Sequence, residues 1–288
     1  MHGVLGLLEQ RLLGAQPDLA RQLITRQRLS QMQVVAVERE VLAAFPADMR
    51  VVLLKGPALS ERLYGDPFRR ASRDLDLLLA GADLDRCADV LRGLGFEIEA
   101  AESEAYHREH HHHLTFVRMG APPIELHFRL ITGFGTAISG EEFLARSLAY
   151  RSESVRILAP EDEFLYLGVH AAQHQCGRLI WLEDVRRLRE SRSDLDMDHV
   201  QRRASEYRVR RPLEFTLEVL RGDLRRWRRF QAVERSALPE AVRELVLGAV
   251  LCDSPKLAWR HLSHHSGRMM RRRSARVLPA LTPKSWAS

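Results

Sequence analysis

Between Ser72 and Leu79 the chain reads Ser72-Arg73-Asp74-Leu75-Asp76-Leu77-Leu78-Leu79, an acidic pair two residues apart in an aliphatic run. In a strand, period-2 alternation points Asp74 and Asp76 to one face and Leu75 and Leu77 to the other. Neighbouring carboxylates repel, so such a pair calls for a cation, and removal of one charge is expected to relieve the metal-free protein. Oxygen donors of this kind suit Mg2+ or Mn2+, with substrate phosphates completing the shell. Ile124-Glu125-Leu126-His127 places a third acid in a short apolar strand, where an unpartnered charge would be costly. If the two strands are neighbours, Asp74, Asp76 and Glu125 converge as the catalytic and metal-binding set that two-metal phosphoryl transfer needs.

Cations stand near these acids. Lys55-Gly56 closes an apolar run ahead of a helix start, and Arg70 and Arg73 lie just upstream of Asp74. Lys55, Gly56, Arg70 and Arg73 are therefore the expected nucleotide-binding residues, holding the triphosphate by charge and by an exposed helix start. Three histidines are candidates to line the site. His127 shares the face of Glu125, while His170 and His174 are four apart on one helix face. The His170 and His174 spacing can serve zinc, but no third ligand accompanies it and packing is the plainer expectation. Asp184 could hydrogen-bond one of that pair. In the run His110-His111-His112-His113, one or two imidazoles are expected to face the cleft.

The elements that must position these residues follow from periodicity and breakers. Leu5 to Leu13 and Leu19 to Phe45 have helical apolar spacing, the second stopped by Pro46. Strands are expected at Val51 to Leu54, Leu75 to Leu79, Phe96 to Ala100, His112 to Val117, Ile124 to Phe128 and Ser154 to Leu158. Helices are expected at Ala58 to Leu63 behind Pro57, at Leu84 to Leu94 before Gly95, and from Pro160-Glu161-Asp162-Glu163 onward. Further helices are read at about 179–190, 197–207, 211–221 and 239–251. The domain reading is an N-terminal helical segment at 1–48, a core at 49–150, a helical domain at 151–262 and a basic tail at 263–288.

Composition bounds the rest. The 288 residues can bury a substantial core, with 45% hydrophobic and 28% charged residues, as in a soluble globular protein. No apolar run approaches the length of a membrane span. The first ten residues lack the features of a signal peptide. Cys87, Cys176 and Cys252 have no CxxC spacing, which suits a reducing compartment, and a cytoplasmic location is expected. The net charge of +6 is uneven: from Trp181 onward 24 Lys+Arg face 14 Asp+Glu, whereas residues 1–180 carry 20 and 24. Arg225-Arg226 and Arg228-Arg229 around Trp227 suit an anionic partner, or simply a solvated face.

Taken together, Leu54-Lys55-Gly56, Leu63-Tyr64-Gly65-Asp66-Pro67, Arg70 and Asp74-Leu75-Asp76 resemble the uncharacterised bacterial nucleotidyltransferases of the polymerase-β-like superfamily. The resemblance resumes at Ile124-Glu125-Leu126-His127 and again at Tyr166, His170, His174, Trp181 and Asp184. The wider superfamily has Gly-Ser after its first strand, closely followed by the acidic pair. Here Lys55-Gly56 stands in, and 17 residues separate Gly56 from Asp74. The fold this implies is α/β (α+β): a small mixed β-sheet nucleotidyltransferase core with N-terminal helices and a C-terminal helical domain. The function it implies is Mg2+- or Mn2+-dependent transfer of a nucleoside monophosphate, AMP foremost, from an NTP such as ATP. The acceptor is open: a peptide, a small molecule or an RNA. The alternative is a non-catalytic nucleotide- or nucleic-acid-binding module on the same fold, antitoxin-like or accessory to biosynthesis.

Overall fold

The computed structural model describes residues 5–9, 14–99, 108, 111–223, 225 and 228–263. Residues 10–13 of the first expected helix, His110, Arg226, Trp227 and the tail from residue 264, with Arg271 to Arg273 and Trp286, lie outside the described residues.

Helix α1 (Pro17–Ala44) starts on a proline, whose missing N–H is of no consequence in a first turn, with Asp18 against the positive end of the dipole. Its buried residues Ala20, Ile24, Val34, Val37 and Val41 recur at helical spacing along one face. Strand β1 (Val51–Leu53) is wholly buried and leads through Lys55 into α2 (Gly56–Tyr64), which Gly65 closes in the left-handed region at φ 72°. Strand β2 (Leu75–Leu78) follows, then α3 (Leu84–Gly93), which buries Leu84, Cys87, Ala88 and Leu91. Strands β3 (Glu97–Ile98), β4 (His113–Val117) and β5 (Ile124–His127) complete this half.

A hairpin of β6 (Arg129–Gly133) and β7 (Thr136–Ser139) forms a separate two-stranded sheet, ahead of α4 (Glu141–Arg146). Strands β8 (Leu148–Ala149) and β9 (Val155–Ile157) return to the main sheet. Then come α5 (Pro160–Gln173), α6 (Leu179–Ser191), α7 (Met197–Glu206), α8 (Arg210–Arg221), α9 (Arg228–Glu234) and α10 (Glu240–Val250). The expected strands and most expected helices are present with ends shifted by a few residues. The β6–β7 hairpin, β8 and α9 were not anticipated.

The main sheet has seven strands in the order β3-β4-β5-β2-β1-β9-β8 and is mixed, with β2 parallel to β5 and β1 parallel to β9. It therefore takes in Val155–Ile157, past residue 150. Leu75, Leu77, Leu114, Phe116, Ile124 and Leu126 form one core with Val37 and Val41 of α1 and Leu84, Cys87 and Leu91 of α3. On the opposite face Val52, Leu54 and Leu78 join a second core with Phe164, Leu165 and Val169 of α5 and with Leu213 and Phe215 of α8. Helix α5 packs against α6, α7 and α8, so the C-terminal helices rest on the sheet through it.

Candidate active site

Pairing of β2 with β5 sets Asp76 beside Glu125 and Leu78 beside His127. Pairing of β4 with β5 sets His113 opposite His127 and Thr115 opposite Glu125. Alternation does the rest: the leucines and isoleucine between these residues go to the α1–α3 core, and the polar side chains share the other face. Where β1 runs out, Gly56 takes φ 70°, a left-handed turn that glycine adopts without strain, and Lys55 enters the site.

Lys55 Nζ lies 2.9 Å from Asp76 Oδ1 and donates to His170 Nε2 at 3.1 Å. His127 Nε2 is 3.2 Å from the same Asp76 oxygen and 3.3 Å from Glu125 Oε2. Asp76 is 1% exposed, and its Oδ2 is buried with no hydrogen-bond partner. Glu125 is the more open acid, its side chain 24% exposed.

Above this floor lies a cavity of about 300 Å³, at the small end of the range for ligand sites. Lys55, Asp74, Glu125 and His127 line it from the sheet, with His112 and His113 alongside. Tyr166, His170 and His174 line it from α5, Arg178 and Trp181 from the start of α6, and Arg70 and Arg73 from the loop before β2. His170 and His174 stack beside Trp181, with ring centroids 5.2 and 4.8 Å from the indole.

The electrostatics are uneven. Burial pushes Asp76 up, but Lys55 and His127 hold it well below the usual carboxylate range. Burial, with Asp76 and Glu125 adding repulsion, raises Asp74 to about 6. Glu125 is lowered, its burial outweighed by the hydrogen bond from His127 and neighbouring imidazoles. His127 is raised despite burial because two carboxylates face it. Lys55 is likewise raised against its burial, chiefly by Asp76. His170 is lowered by burial and by the Lys55 charge, so it is neutral and accepts from the ammonium.

Three expectations change on contact with this geometry. Asp74 and Asp76 do repel, as the raised Asp74 shows, but Asp76 is not left without a counter-charge in the metal-free protein, because Lys55 pairs with it. Asp184 does not meet His170 or His174. It accepts from Arg70 Nε at 3.0 and 2.9 Å and from Tyr64 hydroxyl at 2.7 Å, because α6 lays it against the end of α2. Arg70 also donates to Ser72 Oγ at 2.9 Å, so much of its guanidinium braces the loop that carries Asp74. Gly56 shapes the turn and does not line the cavity.

Lys55, Arg70, Arg73, Asp74, Glu125, His127, His170 and His174 do meet at this cavity, with Asp76 directly beneath Lys55 and His127. Residue-by-residue reading did not assign Tyr166 or Arg178 to the site. Tyr166 sits one helical turn before His170, a signal that was available. Arg178 carried none, since a basic residue before a helix is commonplace. Neither Arg73 nor Arg178 forms an ion pair among the described residues, and Arg178 Nε is buried without a partner.

Comparison with known proteins adds the following. No curated protein matches the chain. The solution structure of the antibiotic-resistance factor ANT(2'')-Ia is 15% identical, covering 62% of this chain and 94% of its own, with a TM-score of 0.44. The crystal structure of ANT(2'')-Ia in complex with adenylyl-2''-tobramycin is 17% identical, covering 61% of this chain and 97% of its own, with a TM-score of 0.43. Scores this low carry no weight for function. The model of a family described as uncharacterised nucleotidyltransferase matches residues 1–222, a span that takes in the sheet, the cavity and helices α1 to α8. The chain belongs to that uncharacterised nucleotidyltransferase family.

Proposed function

We propose that the cleft transfers a nucleoside monophosphate, AMP in our reading, from an NTP to a hydroxyl or related nucleophile of an acceptor, releasing pyrophosphate. The observation that carries the proposal is the register of β2 on β5, which sets Asp76 beside Glu125 under a cavity rimmed by arginine.

A divalent ion fits the residues present. One ligand atom each from Asp76, Glu125 and His127 lies within 4.8 Å of the others, and Asp76 Oδ2 is a buried oxygen in want of a partner. Asp76 and Glu125 would hold Mg2+ or Mn2+, with Asp74 on the wall of the same cavity. When bound, such an ion supplies charge stabilisation at the attacking and leaving oxygens.

The chain's own groups do the remainder. Arg73, which forms no ion pair among the described residues, and Arg178, whose guanidinium lies over the Trp181 ring, take the triphosphate, and the first turn of α6 behind Arg178 adds its positive dipole end. Lys55 keeps Asp76 ionised before substrate arrives and lies where a phosphate oxygen would enter. Arg70, clamped by Asp184, holds the 70–74 loop against α6. Glu125, the more exposed acid, is placed to accept the proton of the attacking hydroxyl. His127 orients both carboxylates through Nε2. The acceptor class, peptide, small molecule or RNA, is to be read from the intact mass of candidate acceptors after incubation with each NTP. We place the reaction in the cytoplasm, consistent with three free cysteines.

Calorimetric titration with ATP, with and without Mg2+, tests the proposal. Affinity is expected to rise about tenfold or more with the ion, or at least ~1.4 kcal/mol. Equal affinity in both buffers would remove the metal site from the account.

A further inference from the structure

The acids are not the only ligand set in the cleft. One ring nitrogen from each of His112, His113 and His127 lies within 4.8 Å of the others. Their ring centroids form a triangle of 4.3, 5.2 and 5.0 Å. Three imidazoles on a tetrahedral ion, with bonds of about 2.0–2.1 Å, hold their nitrogens roughly 3.4 Å apart, within reach of modest ring rotations from this arrangement.

Two contacts prepare the rings for such a role. His127 spends Nε2 on Asp76 and Glu125, while its Nδ1 is buried with no partner in a residue only 2% exposed. Once a metal ion displaces the Nδ1 proton, the imidazole donates from Nε2 and ligates through Nδ1, the arrangement in which a carboxylate orients a metal-binding histidine. His112 has Nδ1 at 2.7 Å from Thr132 Oγ1, which fixes that ring and leaves Nε2 free to ligate when Nδ1–H is the donor. His113 Nδ1 is also buried without a hydrogen bond, facing Glu125 Oε2 at 3.6 Å. His112 and His113 meet edge to face, His127 is tilted at 49° and 50° to them, and buried Nδ1 atoms of His113 and His127 left without a hydrogen-bond partner are not what packing alone selects.

We propose that the cleft holds a nitrogen-ligated transition-metal dication of the Zn2+ class on His112, His113 and His127, beside the oxygen-donor set of Asp76 and Glu125. Donor chemistry separates the two: imidazole suits zinc, copper, iron and nickel, whereas Mg2+ prefers carboxylate, phosphate and water. His127 stands between the sets and links them.

The test is titration of Co2+, then Zn2+, into the metal-free full-length protein in excess Mg2+ and without nucleotide. Co2+ is expected to develop the intense visible absorption of a four-coordinate ion at about one equivalent, with Zn2+ displacing it and Mg2+ failing to do so. The double variant His112→Ala, His113→Ala should lose the band. Thr132→Val keeps all three rings and should weaken Co2+ binding by about tenfold. No band in the wild type, displacement by Mg2+, or undiminished binding in the double variant would overturn the proposal. If the double variant does not fold, Thr132→Val decides, and unchanged affinity counts against the site. No step uses nucleotide, so failure here and failure of the transfer reaction are separate results.

Discussion

The two faces of the central sheet are built from the same strands and have opposite characters. Toward α1 and α3, β2 and β5 present Leu75, Leu77, Ile124 and Leu126, all buried in a continuous apolar layer. Toward α5 the alternate residues are Leu78, which joins the core against that helix, and Asp76, Glu125 and His127, also largely withdrawn from water, with Asp76 held by Lys55 and Lys55 in turn by His170. The apolar face draws stability from burial itself, at roughly 25 cal/mol per Å². The polar face is tolerable only through reciprocal charge and hydrogen bonding, so its tolerance to substitution should depend on which partner is lost.

That contrast can be broken most severely at the brace of the polar side. Asp184→Asn leaves the buried Arg70 guanidinium without its counter-charge, and a loss of about 3–5 kcal/mol is expected in denaturant unfolding. A loss under about 1 kcal/mol would show that Tyr64 and Ser72 satisfy Arg70 unaided. Next, Leu77→Ala on the apolar face should cost about 2–5 kcal/mol through the cavity it leaves, with nucleotide affinity of the folded protein unchanged. A parallel loss of affinity would mean that the faces are not independent. Smallest is Arg178→Met, which keeps an aliphatic stem but removes the charged guanidinium that lies over Trp181. The KM for the NTP should rise about tenfold, ~1.4 kcal/mol, with the unfolding midpoint steady. An unchanged KM would return Arg178 to a surface role.

Much of the polar face was legible beforehand because strand alternation is rigid. Once Asp76 and Glu125 fall on short apolar strands, their side is fixed relative to the neighbouring leucines, and the parallel pairing of those strands then brings them together. The long-range partners were not legible. Nothing near residue 184 signals that it will meet residues 64 and 70, since that contact depends on how α6 crosses α2. The pairing of Asp76 with Lys55 is hidden for a related reason: repulsion is visible within one strand, whereas the compensating lysine arrives from the end of the next. The β6–β7 hairpin escaped because its turn is irregular, with Phe134 itself at φ 52° and Gly135 pressed against the backbone of Leu257. Arg225 is paired with Asp223 at 2.8 Å, and Arg226 lies outside the described residues.

The Lys55 contact also changes which acid is the informative one to alter. Neutralising Asp76 would strand a buried ammonium and confuse folding with chemistry. Glu125 is partly open and contacts only the imidazoles of His127 and His113 among its ion-pair neighbours. The decisive measurement is therefore Glu125→Gln, with Mg2+-dependent turnover and thermal midpoint recorded on the same preparation. Turnover should fall about a hundredfold or more, ~2.7 kcal/mol of transition-state stabilisation. The midpoint should move by less than about 3 °C, and Mg2+ should raise it less than in wild type. A Glu125→Gln protein that turns over at the wild-type rate would contradict the metal-dependent transfer mechanism and leave the cleft as a binding site.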